Sequence, residues 1–218
     1  MSRRIVVAID GPAGSGKSTV ARRIAEKLGF LYIDSGAMYR AVALYAIRNG
    51  TALDDMAHLA QLAEAAEIGL GEGRVTLNSE DVTADIRAPE VSAAASKVAA
   101  VAPVRRALVA KQRRYSDEAS VVMEGRDIGT VVFPDAQVKI FLDASPEVRA
   151  RRRAEDNGED SAILEERDRR DRSRADSPLV QAADAVYLST DGLTLGQVEE
   201  EVLKLVRART SNGKEIVR

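Results

Sequence analysis

The chain has 218 residues, of which 45% are hydrophobic and 30% charged, and its formal net charge is −2. These values fit one large globular domain, or one domain with an insertion, and they give no global electrostatic pull toward nucleic acid. Cysteine is absent, which excludes a disulfide framework, a cysteine-ligated metal and thiol redox chemistry.

The chain starts Met1-Ser2-Arg3-Arg4, followed by five apolar residues, Ile5 to Ile9. That run is too short for the apolar core of a signal peptide, and no run approaches a membrane span, so the cytoplasm is the expected location. The run ends in Asp10 and a glycine-rich turn, Gly11-Pro12-Ala13-Gly14-Ser15-Gly16-Lys17-Ser18-Thr19. The pattern G-x-x-x-x-G-K-[ST] between a buried strand and a patterned helix (Val20, Ile24, Ala25, Leu28) is the phosphate-binding loop. Glycines let backbone N–H groups turn inward around an anion where a Cβ would obstruct them. The helix N-terminus adds a favourable dipole. Lys17 is expected to reach the β- and γ-phosphates of a nucleoside triphosphate, and the Ser18 hydroxyl to ligate Mg²⁺.

Further apolar runs read as parallel strands: Leu31–Ile33, Val121–Met123, Val138–Leu142 and Ala185–Leu188. Helical patterns separate them. The alternation predicts an α/β fold with a mainly five-stranded parallel sheet covered by helices on both faces. Ligands then bind beyond the carboxyl ends of the strands, so the polar residues that follow each strand matter most.

After Ile33 comes Asp34-Ser35-Gly36-Ala37-Met38-Tyr39-Arg40. Asp34 and Ser35 suit a helix N-cap, two small residues open the first turn, and Arg40 shares a face with Gly36. This combination makes a second anion site, although an ordinary capped helix with a surface arginine would have the same pattern. Residues 52–89 have the character of an insertion. Met56–Ala66 is helical, 68–70 and 74–77 are strand-like around a Gly71-Glu72-Gly73 turn, and Asp81–Arg87 continues it. The single histidine, His58, reads as a surface residue. Two alanine-rich helices, Glu90–Val101 and Val104–Ser116, are expected on either side of Pro103. Their polar features include Ser96, Arg105 and Arg106.

The strand Val121–Met123 ends in Glu124-Gly125-Arg126-Asp127-Ile128-Gly129, charges set between glycines as in a site turn. Ser145 and Pro146 start a helix carrying Arg149, Arg151, Arg152 and Arg153, with Arg149 and Arg153 on one face and Asn157-Gly158 at its end. The run Arg167–Arg174 places Arg167, Asp171 and Arg174 at i, i+4 and i+7, where an acid can hold two arginines without neutralising them. Leu195–Arg209 reads as a last packed helix and Ser211–Arg218 as a frayed tail. Arginine outnumbers lysine 25 to 7. Guanidinium forks suit phosphate, but GC-rich codons would give the same bias.

One phosphate loop with several arginine sites points to phosphoryl transfer between two phosphorylated molecules. Such chemistry needs alignment and positive charge more than a base, because an acceptor phosphate with a second pKa near ~6 is already a nucleophile at neutral pH. A nucleotide-gated RNA-binding module is the alternative of a different class. The balanced charge and 4% aromatic content count against it.

Taken together, Gly11–Thr19, Asp34–Arg40, Gly125–Ala136 and Arg167–Arg174 resemble the motif set of the bacterial cytidylate kinases, over nearly the whole chain and including the insertion. The resemblance implies a P-loop NTPase-type three-layer fold in a single nucleoside monophosphate kinase domain. Its core would comprise about 1–34, 116–147 and 176–210, its acceptor-binding region 35–115, and its lid 148–175. The implied reaction is ATP-dependent phosphorylation of CMP and dCMP; a UMP, AMP, shikimate or dephospho-CoA kinase is the alternative. By the same resemblance, Gly11, Pro12, Ala13, Gly14, Ser15, Gly16, Lys17, Ser18 and Thr19 bind ATP, with Mg²⁺ at Ser18. Ser35, Tyr39, Arg40 and Arg126 hold the acceptor phosphate side. Ser96, Asp127 and Arg105, or its neighbour Arg106, read cytosine. Arg167, Asp171 and Arg174 line the acceptor site. Lys17, Arg40, Arg126, Arg149 and Arg153 take the catalytic roles, the last two as lid arginines that clamp the phosphates. The expected partners are ATP and CMP or dCMP, with no nucleic acid and no membrane, and the expected state is a monomer.

Overall fold

The computed structural model describes residues 4–71, 73–157 and 160–210. They fall into two compact units, one of the described residues up to 32 and from 115 on, the other of those from 33 to 114.

The first unit is built on a parallel sheet. The strands β1 (Val6–Asp10), β2 (Leu31–Asp34, whose last two residues belong to the second unit), β6 (Val121–Gly125), β7 (Val138–Asp143) and β8 (Val186–Ser189) run in the order β2-β6-β1-β7-β8. The strand β1 lies at the centre, paired in parallel with β6 and β7, and all five of its residues are buried. This explains why it reads as an unbroken apolar run instead of an alternating one. Helix α1 (Lys17–Leu28) lays Val20, Ala21, Ile24 and Ala25 against this core. It stops at Gly29, whose left-handed φ of 64° lets its N–H bond back to the Ala25 and Glu26 carbonyls. Helix α8 (Leu195–Thr210) contributes Val198, Val202 and Val206 to the same core. Its buried Glu199 accepts from Arg23 at 2.6 Å and Lys27 at 2.5 Å, which fixes α1 from the side opposite its phosphate-binding end. Helices α6 (Pro146–Asn157) and α7 (Ser161–Ser173) complete this unit.

The second unit has its own core. Helix α2 (Ser35–Arg48) is small and apolar along most of its length, with Ala37, Met38, Ala41, Val42, Ala43 and Ala46 buried. Packed in the same core are α3 (Met56–Ala65), α4 (Pro89–Val98) and α5 (Ala102–Glu118). The insertion forms an antiparallel sheet of β3 (Ile68–Gly71), β4 (Arg74–Leu77) and β5 (Glu80–Asp81), then a short helical turn over Asp85–Arg87. Arg48 joins α2 to this sheet through Glu80 at 2.8 Å and to the helical turn through Asp85 at 2.7 Å.

The strand and helix pattern follows the sequence, with shifts that include the region around Pro103. Helix α4 ends at Val98, not Val101, and Pro103 sits in the first turn of α5 instead of between two helices. A first-turn N–H has no intrahelical partner, so proline costs nothing there. His58 is exposed, as expected of a surface residue. Glu72, Gly158 and the tail Ser211–Arg218 lie outside the described residues.

Candidate active site

The phosphate loop leaves the end of β1. Three of its glycines have positive φ: Gly11 at 155°, Gly14 at 76° and Gly16 at 86°. Two of them also have no room for a side chain. A Cβ on Gly11 would lie 2.0 Å from the Leu142 carbonyl oxygen, and one on Gly14 would lie 2.8 Å from that of Arg149. The loop is thus pressed against the end of β7 and the start of α6. Gly16 caps α1 without a side-chain bond, so the first-turn amides are presented as an anion site. Lys17 is buried, and its Nζ donates to the Pro12 carbonyl at 2.9 Å, arching the side chain back over the loop. Ser18 and Thr19 are exposed at the helix start.

Two arginines of α6 brace this loop. Arg149 is buried, donates to the Ala13 carbonyl at 3.2 Å and the Ala144 carbonyl at 3.1 Å, and pairs with Asp168 of α7. Its guanidinium supports the loop's backbone. Arg153, expected to share its face, is half-buried. Arg152 was given no separate role by sequence. Its Nη1 donates to Thr190 Oγ1 at 2.8 Å and reaches the Gly14 carbonyl at 3.4 Å. That placement depends on Thr190, thirty-eight residues on, so no local pattern could have singled it out from its neighbours.

The second feature of this unit is the turn after β6. The β1–β6 register pairs Asp10 with Gly125, so the phosphate loop and Arg126 depart from adjacent strand ends at the same level. Neighbouring strands are about 4.8 Å apart, which puts the two departures side by side. Arg126 Nε donates to Asp171 Oδ2 at 2.9 Å, and Arg174 bonds the other oxygen of the same carboxylate. Asp171 is 2% exposed. Burial pushes its pKa up, but Arg126, Arg174 and Arg167 outweigh burial and hold it below the ordinary carboxylate value. One ionised acid therefore holds two guanidinium groups. Asp127 follows, buried. Its carbonyl then opens a wide π-type turn over Ile128–Val132, accepting from the Val132 N–H at 3.1 Å. Such turns are rare and concentrate at functional sites. Glu124, also buried, accepts from the Tyr32 hydroxyl at 2.9 Å.

The second unit carries its own polar cluster. Asp34 caps α2 by accepting the Ala37 N–H at 3.0 Å, and its other oxygen binds Arg40 Nη2 at 2.8 Å. A Cβ at Gly36 would come within 3.2 Å of Arg40 Nη1 and 3.1 Å of Asp34 Oδ1, so the glycine makes room for that pair. Ser35 lies inside the helix, and Ser35 and Ser96 are buried. Arg105 is 2% exposed; it donates to the Ala99 carbonyl at 3.1 Å, and its guanidinium carbon lies 5.5 Å from the centre of the Tyr39 ring. Arg106 points outward. The helical phase of Val104 and Leu108, both buried, separates the two arginines.

No group of three or more histidine or acidic side chains that could hold a metal occurs among the described residues. No helix among them is long and apolar enough to cross a membrane.

Residues 7–208 match the family described as cytidylate kinase. The chain is 57% identical to a cytidylate kinase of Solibacter usitatus, over 98% of this chain and 97% of that one. It is 52% identical to a cytidylate kinase of Pelotomaculum thermopropionicum, over 95% and 96%. Among solved structures it resembles a gluconokinase of Sinorhizobium meliloti at a TM-score of 0.52 and 16% identity, covering 97% of each chain, a likeness of fold alone.

Proposed function

The chain belongs to the cytidylate kinase family, and from that premise we propose that it transfers the γ-phosphoryl group of ATP to CMP and dCMP, giving ADP with CDP or dCDP. The feature that supports this most is the departure of the phosphate loop and the Arg126 turn from paired strand ends, with Asp171 holding Arg126 and Arg174 together. An acceptor phosphate oxygen attacks the γ-phosphorus, and the bond from that phosphorus to the β,γ-bridging oxygen breaks. No base is required, because the attacking phosphate is largely dianionic above its second pKa of about 6. The protein's part is to align two anions and offset the charge that spreads over the transferred group.

Residues 11–19 take the ATP phosphates, with Lys17 on the transferred end. Arg126 and Arg174 take the acceptor side in the first unit, and Arg167 adds charge there. Ser35, Tyr39 and Arg40 serve the acceptor phosphate. Cytosine is read by Asp127, Ser96 and Arg105; the burial of Arg105 and the exposure of Arg106 favour Arg105. Arg149 and Arg153 belong to the lid, and the bonds of Arg149 give it the further task of holding the loop backbone. Mg²⁺ would be held by Ser18, whose exposed hydroxyl at the loop helix suits an ion that takes most of its ligands from phosphate and water. When bound, it supplies charge neutralisation on the β- and γ-oxygens. The protein acts as a cytoplasmic monomer.

Incubation with Mg²⁺, ATP and CMP yields ADP and CDP in equal amounts, read by anion-exchange chromatography. Production of ADP without CDP would mark a hydrolase and overturn the assignment.

A further inference from the structure

Asp10 is the last residue of the central strand, and it is buried. No role in phosphate or base binding uses it. Its two carboxylate oxygens point across to the turn after β6. Oδ1 accepts the Ile128 N–H at 2.8 Å, and Oδ2 accepts the Gly129 N–H at 2.7 Å. The β1–β6 ladder ends at the Asp10–Gly125 pair, beyond which the two chains separate into the phosphate loop and the Arg126–Asp127 turn. The Asp10 side chain continues the cross-link where the backbone ladder stops. Fit at this point is close. A Cβ on Gly129 would lie 3.4 Å from Asp10 Oδ2 and 3.2 Å from Lys139 Cδ, so the glycine makes room for both side chains.

We propose that Asp10 is a positioning residue for the acceptor nucleotide: by accepting two successive turn amides it sets Arg126 and Asp127 in a fixed relation to the phosphate loop. This rests on the assignment of Arg126 and Asp127 to the acceptor. The ionised carboxylate is the competent form, because both oxygens must accept. Protonation turns one of them into a hydroxyl facing an N–H, and asparagine places an NH₂ group there permanently.

The competent form is only partly populated at neutral pH. Burial raises the Asp10 pKa to about 7, against the pull of the Gly129 and Ile128 amides; Asp127 raises it further and Arg126 lowers it. Ionisable groups on adjoining elements include Glu124 on β6, Lys17 on α1, and Asp143 and Lys139 on β7, Lys139 being paired with Asp184 at 2.9 Å. Stability follows the opposite sign to binding. The raised pKa favours folding of the protonated form, fully below the ordinary value of 3.8, and this contribution is lost as pH rises through about 7.

The test is the KM for CMP of the wild type and of Asp10→Asn between pH 6 and 8, taken as a ratio so that titration of CMP's own phosphate cancels. If one lost hydrogen bond costs about tenfold in KM, the ratio rises from about twofold at pH 6 to about ninefold at pH 8, while the KM for ATP changes less. A ratio near one at both pH values overturns the inference, provided that Asp127→Asn does raise the KM for CMP. If Asp127→Asn is also silent, the acceptor assignment itself is at fault. A second readout needs no variant. The amide resonances of Ile128 and Gly129 titrate with a midpoint near 7, and saturating cytidine, which carries no phosphate, lowers that midpoint by linkage. A midpoint unmoved by cytidine contradicts the inference even if the asparagine variant fails to fold.

Discussion

Replacing Lys17 by alanine lowers turnover by about 10³-fold, the upper range for removing one preorganised charge from a transferring group. The far-UV spectrum and the melting temperature change little. Lys17 Nζ makes a bond to the Pro12 carbonyl, within the loop itself, so its loss leaves the sheet and helix packing in place. The loop keeps its shape through the glycine conformations and through the contacts of Arg149 and Arg152, none of which involves the Lys17 side chain. CMP affinity, measured without ATP by calorimetry, stays within about twofold, the level at which no interaction has been lost. A variant that keeps a tenth of wild-type turnover would show that the lysine does not meet the transferred phosphoryl group.

The second large effect is expected at Asp171. Asp171→Ala removes the carboxylate that binds both Arg126 and Arg174. Both guanidinium groups are then largely buried with their shared acid gone, a situation that costs on the order of 3–5 kcal/mol. Denaturant unfolding at pH 7 reads that loss. The same variant raises the KM for CMP more than the KM for ATP, since the two arginines separate or turn away from each other. The pH sign follows from the depressed pKa. The wild-type advantage is present above the ordinary carboxylate value of 3.8 and disappears as pH falls through the lower native value, so the stability gap closes in acid. A gap that stays constant down to pH 2 would contradict the ion-pair account and point to lost packing alone.

Much of this site could be read before any coordinates. The phosphate loop was legible because glycine's backbone freedom is a local property, and the positive φ at Gly11, Gly14 and Gly16 is the reason those residues are there. The Asp34 cap and the closeness of Gly36 to Arg40 were legible because helix periodicity alone brings them together. The i, i+3 spacing also placed Arg174 on Asp171. What the sequence could not convey were bonds between distant segments. Arg126 reaches Asp171 forty-five residues away, Asp10 reaches amides 118 and 119 residues away, and Arg152 reaches Thr190. Arg149 shows the same limit from the other side. Its helix face was foreseen, but the Ala13 carbonyl and Asp168 that engage it come from elsewhere in the chain. The end of α4 at Val98 was misjudged because the alanine-rich sequence carries no stop signal before Pro103.

The most direct measurement is a coupled ADP-release assay across CMP, dCMP, UMP and AMP at equal Mg²⁺ and ATP. On the proposed reading of cytosine by Arg105, Ser96 and Asp127, kcat/KM for CMP exceeds that for UMP and AMP by at least about tenfold, the discrimination expected from one or more unpaired polar contacts on the wrong base. Equal kcat/KM for CMP, UMP and AMP would contradict it.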